Sequence, residues 1–160
     1  MDYKSSESTT DGSNTARETV NHTCCFFGHR DTDPSIREPL KQAIEALIIS
    51  RKADHFYVGD HGNFDRMVYD VLKELKAAYP HMVYNVVLAY LPKRIIRDDN
   101  LIYPAKLTMI AKQFAIPYRN DWMIMHSSYV ICHIVRSTGG AAFFVNEAKK
   151  NGLTVMNIAK

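Results

Sequence analysis

The chain has 160 residues, of which 46% are hydrophobic and 23% are charged, an ordinary balance for a globular protein. Its formal net charge of +3 suits a small anionic ligand and is too small to predict a protein that binds duplex DNA. No apolar run approaches the ~18 residues of a membrane span, and the N-terminus lacks an apolar signal core. We therefore expect a cytoplasmic protein with no membrane partner.

Residues 1–22 are rich in Ser, Thr, Asn, Asp and Glu. Because such a segment cannot bury enough apolar surface to offset the entropy lost on ordering, we expect a disordered N-terminal tail. Residues 23–160 are assigned to a single domain. The three cysteines, Cys24, Cys25 and Cys132, have no spacing typical of metal ligands. We expect buried free thiols and no metal site.

Five apolar runs predict strands that are buried on both faces, and they cover residues 23–27, 55–58, 83–88, 129–134 and 154–158. Helical patterns separate them, and strands that alternate with helices are typical of parallel βαβ units. The long irregular crossover between the third and fourth runs predicts that the chain moves there to the other side of the first strand. The sequence therefore predicts an α/β, three-layer, Rossmann-like fold with an open parallel sheet of about five strands in the order 3-2-1-4-5.

Four helices are predicted between and after these strands. The first has Ser35 as its N-cap and Glu38 three residues later, the spacing of a capping box, and the second has Asn63 as its cap. The third is short and begins at Asn120, and the fourth covers residues 140–151. Apolar residues at helical spacing predict the buried faces of the first two helices: Ile36, Leu40, Ala43, Ile44, Leu47 and Ile48, then Phe64, Met67, Val68, Val71, Leu72 and Leu75.

Glycine-containing turns follow the first, second and fourth predicted strands, and a parallel sheet places such turns along one edge. Glycine lets the backbone approach a phosphate closely, and a helix N-terminus presents N–H groups with partial positive charge. We therefore expect the three turns to surround one anionic, nucleotide-like ligand. The candidate ligand-binding residues are Gly28, His29, Arg30, Gly59, Asp60, Gly62, Asp65, Ser137, Thr138, Gly139 and Gly140.

Several of these residues also have a purely structural interpretation, which the sequence leaves open. Gly59 and Gly62 could serve only a tight turn between a strand and a helix. The segment Ser137–Gly140 could bind an anion, or it could cap the next helix and pack it against the sheet. Asp60 could repel a phosphate or accept from a ribose hydroxyl. Asp65 could cap its own helix or contact a ribose or a base.

The basic residues have alternatives as well. The planar guanidinium of Arg30 suits bidentate recognition of a phosphate, but it could instead pair with Asp31 or Asp33. His29 and His61 could contact a base or a ribose, or they could be structural. Without a third ligand at a suitable interval they do not predict a metal site.

Five segments, in this order, cover much of residues 23–158. They are Cys24-Cys25-Phe26-Phe27-Gly28-His29-Arg30, Phe56-Tyr57-Val58-Gly59 through Asp65, Arg119-Asn120-Asp121-Trp122-Met123-Ile124, His126-Ser127 with Tyr129-Val130-Ile131-Cys132, and Ser137-Thr138-Gly139-Gly140-Ala141. In them the sequence resembles the SLOG superfamily, in particular its YpsA-like branch. The resemblance implies a Rossmann-like fold that binds nucleotides or nucleotide-derived ligands, in members that act as enzymes, sensors or DNA-processing proteins. It also implies self-association into a homo-oligomer.

The leading hypothesis is a sensor or effector module that binds a nucleotide-derived anionic ligand. Catalysis is not assumed, because no nucleophile–base pair can be placed in the sequence. Beyond such a ligand, no cofactor is assigned.

Two alternatives remain open. The first is a nucleoside-monophosphate N-glycosidase, the reaction of superfamily relatives that carry Pro-Gly-Gly-x-Gly-Thr-x-x-Glu; here the nearest downstream acid, Glu147, is spaced differently. The second is binding of single-stranded DNA, which needs a basic groove with interleaved aromatic residues. The densest candidates for that groove are Lys93, Arg94, Arg97 and Tyr103, and a solvated connector explains them equally well.

Overall fold

The computed structural model describes residues 22–94 and 100–160, and at its centre is a single parallel sheet. Its strands are β1 (Thr23–Gly28), β2 (His55–Val58), β3 (Val83–Val87), β4 (Leu101–Ile102), β5 (Tyr129–His133) and β6 (Thr154–Asn157). Their order across the sheet is β4-β3-β2-β1-β5-β6. The central strand β1 therefore has β2 on one side and β5 on the other. Strands β2 to β4 are added on one side of β1, and strands β5 and β6 are added on the other.

Helices cover both faces of this sheet. They are α1 (Arg37–Arg51), α2 (Gly62–Ala78), α3 (Ala115–Met125) and α4 (Gly140–Lys150). The buried faces of α1 and α2 pack with Cys24 and Phe26 in one core, while α3 and α4 pack with Cys25 and Phe27 in the other. Successive side chains of a strand point to opposite faces, so β1 supplies both cores. The predicted three-layer α/β, Rossmann-like architecture is confirmed.

The five predicted strands are all present in the predicted relative order, and the structure adds a sixth. Strand β4 lies at the edge beside β3, where the Val86 N–H donates to the Asn100 carbonyl at 2.7 Å and the Leu88 N–H donates to the Ile102 carbonyl at 2.8 Å. The sequence pattern missed this strand because two residues carry no measurable periodicity. The predicted count and order are thus corrected by one edge strand.

The predicted helix starts are the main local errors. At the first helix Asp33, not Ser35, is the capping residue, since its Oδ1 accepts from the Ser35 N–H at 2.8 Å and a short 3₁₀ turn precedes α1. Asn63 does not cap α2, which begins one residue earlier. The third helix begins five residues before Asn120 and includes Pro117, which is tolerated because a first-turn residue needs no N–H partner.

The predicted buried faces of α1 and α2 are confirmed, as is the burial of all three cysteines as free thiols. The predicted tail, residues 1–22, lies outside the described residues except for His22. Its carbonyl accepts from the N–H groups of Asp54 and His55 at 3.0 and 3.2 Å. In the described part of the chain, no helix has the length and apolar character needed to cross a bilayer.

Candidate functional site

The turns that follow β1, β2 and β5 meet at the carboxyl edge of the sheet around a cavity of about 510 Å³. Seven of the predicted ligand-binding residues line it: Gly28, His29, Arg30, Asp65, Thr138, Gly139 and Gly140. Gly59, Asp60 and Gly62 do not; with Asp65 they line a separate cavity of about 220 Å³. Ser137 is exposed and lines neither cavity.

Arg30 is exposed at the cavity, directly after β1. Both carboxylates that the sequence offered as its partners are engaged elsewhere. Asp31 pairs with Arg136 at 3.0 Å, and Asp33 caps the turn before α1. No ion pair to Arg30 is found within residues 22–94 and 100–160, so the alternative of a local ion pair is wrong. As far as the described residues go, its guanidinium is available to an anion.

The N-terminus of α4 forms another side of the cavity. Gly139 is its N-cap residue, with a φ of +97° that favours glycine, and it has no side chain to cap the helix. The first backbone bond of the helix runs from the Phe143 N–H to the Gly139 carbonyl at 3.1 Å. The N–H groups of residues 140–142, in the first turn of α4, therefore have no partner within the helix and can donate to a ligand. Neither Ser137 nor Thr138 provides the predicted side-chain cap.

His29 connects the β1 turn to the β5 turn. Its Nε2 accepts from the Val135 N–H at 3.2 Å, which requires an unprotonated Nε2. Burial and the nearby charge of Arg136 lower the pKa of His29 and so favour that neutral form. The ion pair of Asp31 with Arg136 joins the same two turns, and it lowers the pKa of Asp31. The structural interpretation of His29 is the one that the contacts support.

Gly59 and Gly62 allow other residues to approach the β2 turn. A Cβ on Gly59 would lie 2.7 Å from Nη1 of Arg119 and 2.8 Å from Oδ2 of Asp65. A Cβ on Gly62, whose φ is +91°, would lie 2.6 Å from Cα of Arg30. The Asn63 N–H also donates to the Arg30 carbonyl at 2.8 Å. These glycines thus hold cavity residues in place rather than line the cavity themselves.

Arg119 on α3 is a functional candidate that the list of predicted site residues missed. Although charged, it is only 2% exposed. Its guanidinium donates to the Val87 carbonyl at 2.9 Å, to Oδ1 of Asn120 at 2.9 Å and to Oδ1 of Asp60 at 3.2 Å. An arginine in a segment where no helix was predicted gave no signal of burial. Its place beside Asn120 in one of the segments quoted for the SLOG resemblance was the available clue.

Asp60 neither lines the main cavity nor stands free to repel an anion. Its Oδ1 is 3.2 Å from Nη1 of Arg119 and 2.9 Å from Nδ1 of His61. The same Nδ1 lies 3.4 Å from Nη2 of Arg119, and the shorter contact, with Asp60, is the one that assigns the proton of neutral His61 to Nδ1. Burial lowers the pKa of His61, so its Nε2 is available as an acceptor at the main cavity. Asp60 therefore compensates the buried charge of Arg119.

Asp65 reaches both cavities from the first turn of α2. Its Oδ2 accepts from the His61 N–H at 3.0 Å, so the predicted contact with the helix N-terminus is present. Burial nevertheless raises the pKa of Asp65 to about 6, against the opposing effects of that N–H and of Arg119 and Arg30. Both protonation states are accessible near neutral pH, which is typical of carboxyl groups at functional sites.

The chain matches no protein-family model and no curated protein. We therefore infer its function from the chemistry of the main cavity. That chemistry combines an exposed arginine, a helix N-terminus without a side-chain cap, and a carboxyl group whose pKa burial raises to about 6. Among residues 22–94 and 100–160, no group of three or more His, Cys, Asp or Glu side chains could hold a metal ion.

A larger, mainly apolar cavity of about 800 Å³ lies beside the C-terminal half of α3 and contains none of the predicted ligand-binding residues. Trp122 lines it, with its ring stacked on His126 at a centroid distance of 4.0 Å and edge-on to Tyr57 at 5.1 Å. Of the basic group considered for DNA, Lys93 and Arg94 are exposed, and Arg97 lies outside the described residues.

Proposed function

We propose that the main cavity binds a nucleotide or a nucleotide-derived anion and that the protein acts as a sensor or effector of that ligand. One observation carries the proposal: the guanidinium of Arg30, which has no ion pair among the described residues, and the N-terminus of α4, whose N-cap Gly139 has no side chain, line the same cavity. A planar guanidinium and free helix N–H groups both favour phosphate oxygens. Arg136 also lines this cavity, where it is paired with Asp31 at 3.0 Å.

The size and the remaining walls of the cavity support a nucleotide rather than a simple ion. Its volume of about 510 Å³ falls within the range of roughly 300–1,000 Å³ that is common for small-molecule sites. Ile116 offers an apolar surface to a base, while Asn120 and His61 offer polar groups. A nucleoside phosphate has this combination of anionic, polar and flat apolar parts.

Membership of the SLOG superfamily is part of the same proposal. Four of the five segments that carry the resemblance supply the cavity, through Arg30, Asp65, Arg119 with Asn120, and Thr138 to Ala141. Segments that are far apart along the chain thus contribute to one site, as a shared ligand-binding function requires.

Arg30→Gln is expected to weaken AMP binding by about tenfold to a hundredfold, the effect of losing a charge-assisted hydrogen bond. The measurement is titration calorimetry at low salt, after a thermal-shift screen of nucleoside mono-, di- and triphosphates and dinucleotides. The nucleotide that shifts the melting temperature most replaces AMP if AMP is not the tightest ligand.

Arg51→Gln is the matched control, because it removes the same charge from the exposed C-terminal turn of α1. It should bind as tightly as the unmodified protein. Absence of binding by every nucleotide at millimolar concentration contradicts the proposed function. Equal affinities for the Arg30→Gln and Arg51→Gln variants contradict the assigned role of Arg30.

Hydrolysis of an N-glycosidic bond is a second candidate function, and Asp65 is the observation that favours it. Its carboxyl group supplies an acid–base residue to the cavity from α2. The chain lacks a glutamate at the spacing of the Pro-Gly-Gly-x-Gly-Thr-x-x-Glu pattern, so Asp65 would take that role from another element. In such a reaction water adds to C1′ of the ribose, the bond from C1′ to the base nitrogen breaks, and the base leaves with a proton. Chromatography of AMP after incubation should then show free adenine, and intact AMP excludes this activity toward AMP.

A further inference from the structure

Asp65 holds one carboxyl oxygen in place and leaves the other for a ligand. The His61 N–H fixes Oδ2 at 3.0 Å. Within the described chain, no hydrogen bond to Oδ1 is found, and the side chain lines the main cavity. A partly buried carboxyl group with a free oxygen therefore stands in a site whose other features attract anions.

The charges around Asp65 come from every element that packs against it. Arg30 follows β1, Asp60 and His61 follow β2, and Arg119 lies on α3. Arg66, on the same helix, lines the smaller cavity, and Arg136 lines the main one. Because Asp60 pairs with Arg119, an ionised Asp65 and an incoming phosphate would compete for the positive charge of Arg30, which already opposes the rise that burial causes in the pKa of Asp65 in the unliganded protein.

We propose that Asp65 binds the anionic ligand as a neutral acid, its Oδ1–H donating a hydrogen bond to a phosphate oxygen or another acceptor of the ligand. Complex formation at neutral pH then transfers one proton from the buffer to Asp65. The inference rests on the proposed function, since it concerns the same cavity. It makes Asp65 a specificity-determining residue, because a protonated carboxyl selects ligands that present an acceptor at that point. Because the pKa of Asp65 is already raised in the unliganded protein, its protonation near neutral pH costs little free energy.

Calorimetry with AMP tests the inference in the full-length protein. Binding heats measured at pH 7.2 in two buffers of different ionisation enthalpy give the number of protons taken up. AMP itself titrates near pH 6, so the comparison is made between the unmodified protein and Asp65→Asn. The asparagine amide keeps an acceptor for the His61 N–H, carries no charge and cannot take up a proton.

The unmodified protein should take up as much as about one proton more than Asp65→Asn. Above pH 6, the dissociation constant of the unmodified protein divided by that of Asp65→Asn should rise by as much as about tenfold per pH unit. The reason is that the ionised carboxylate of Asp65 must take up a proton before the ligand binds. Asp65→Asn should therefore be the tighter binder at pH 8. Asp70→Asn, an exposed position on the same helix, should behave as the unmodified protein.

Equal proton uptake and a ratio that does not change with pH would overturn the inference and leave the proposed function standing. Failure of the unmodified protein to bind AMP or any nucleotide of the screen between pH 5.5 and 8 would overturn both. Should Asp65→Asn not fold, carboxyl ¹³C resonances of the unmodified protein give the same answer. The Asp65 signal must titrate at a higher pH with AMP than without it.

Discussion

Gly62→Ala should lower the free energy of unfolding by about 3 kcal/mol and weaken nucleotide binding as well. A left-handed φ of +91° costs a non-glycine residue about 1–2 kcal/mol. The new Cβ would also lie 2.6 Å from Cα of Arg30, which is backbone and cannot rotate away, and overpacking of this kind costs about 1–3 kcal/mol. Relief of the contact must move Arg30, whose guanidinium the proposed site requires.

Gly152→Ala separates the cost of the left-handed backbone conformation from the cost of the steric overlap with Arg30. Gly152 has a similar φ of +84°, but a Cβ there meets no atom within 4 Å. Its cost should be the conformational strain alone, about 1–2 kcal/mol, with no effect on binding. Chemical denaturation of both variants measures the difference, and equal costs would show that the contact of Gly62 with Arg30 contributes nothing.

Gly28→Ala should destabilise the protein by about 3 kcal/mol for a purely steric reason. A Cβ on Gly28 would lie 2.2 Å from Cγ of Phe64. Phe64 is fully buried on α2, and Cγ lies too close to its backbone to be moved by side-chain rotation alone. Relief of the contact must therefore shift α2 away from β1, together with Asp65.

Gly140→Ala provides the comparison, because a Cβ there meets no atom within 4 Å and the backbone is helical. Its free energy of unfolding should stay within about 0.5 kcal/mol of the unmodified protein. Denaturant unfolding monitored by circular dichroism is the measurement. A Gly28→Ala variant as stable as Gly140→Ala would contradict the packing of β1 against α2 described above.

The two glycines together explain how the site is held. Gly28 brings α2 against the end of β1, and Gly62 brings the turn before α2 against Arg30. The position of the Arg30 backbone relative to α2, the helix that carries Asp65, is therefore fixed by these close contacts.

The sequence by itself determined five of the six strands of the sheet, their relative order and parallel direction, and the buried faces of α1 and α2. These features depend on the spacing of apolar residues within about ten to twenty neighbours, which a single sequence displays directly. The sequence also showed glycine-containing turns after three strands. Because the carboxyl ends of parallel strands lie at the same edge of a sheet, these turns had to meet there. Arg30 and the segment from Thr138 to Gly140 were predicted for that reason.

Only the tertiary structure decided what each polar group of these turns does. Arg119 and Asp60 are 59 positions apart, and His29 and Val135 are 106 apart. No local pattern records such pairings. The raised pKa of Asp65 likewise arises from burial by several elements, and the edge strand β4 exists because β3 offers it unpaired backbone groups. Local periodicity specifies which residues are buried, whereas charge and hydrogen-bond partners depend on packing between distant segments.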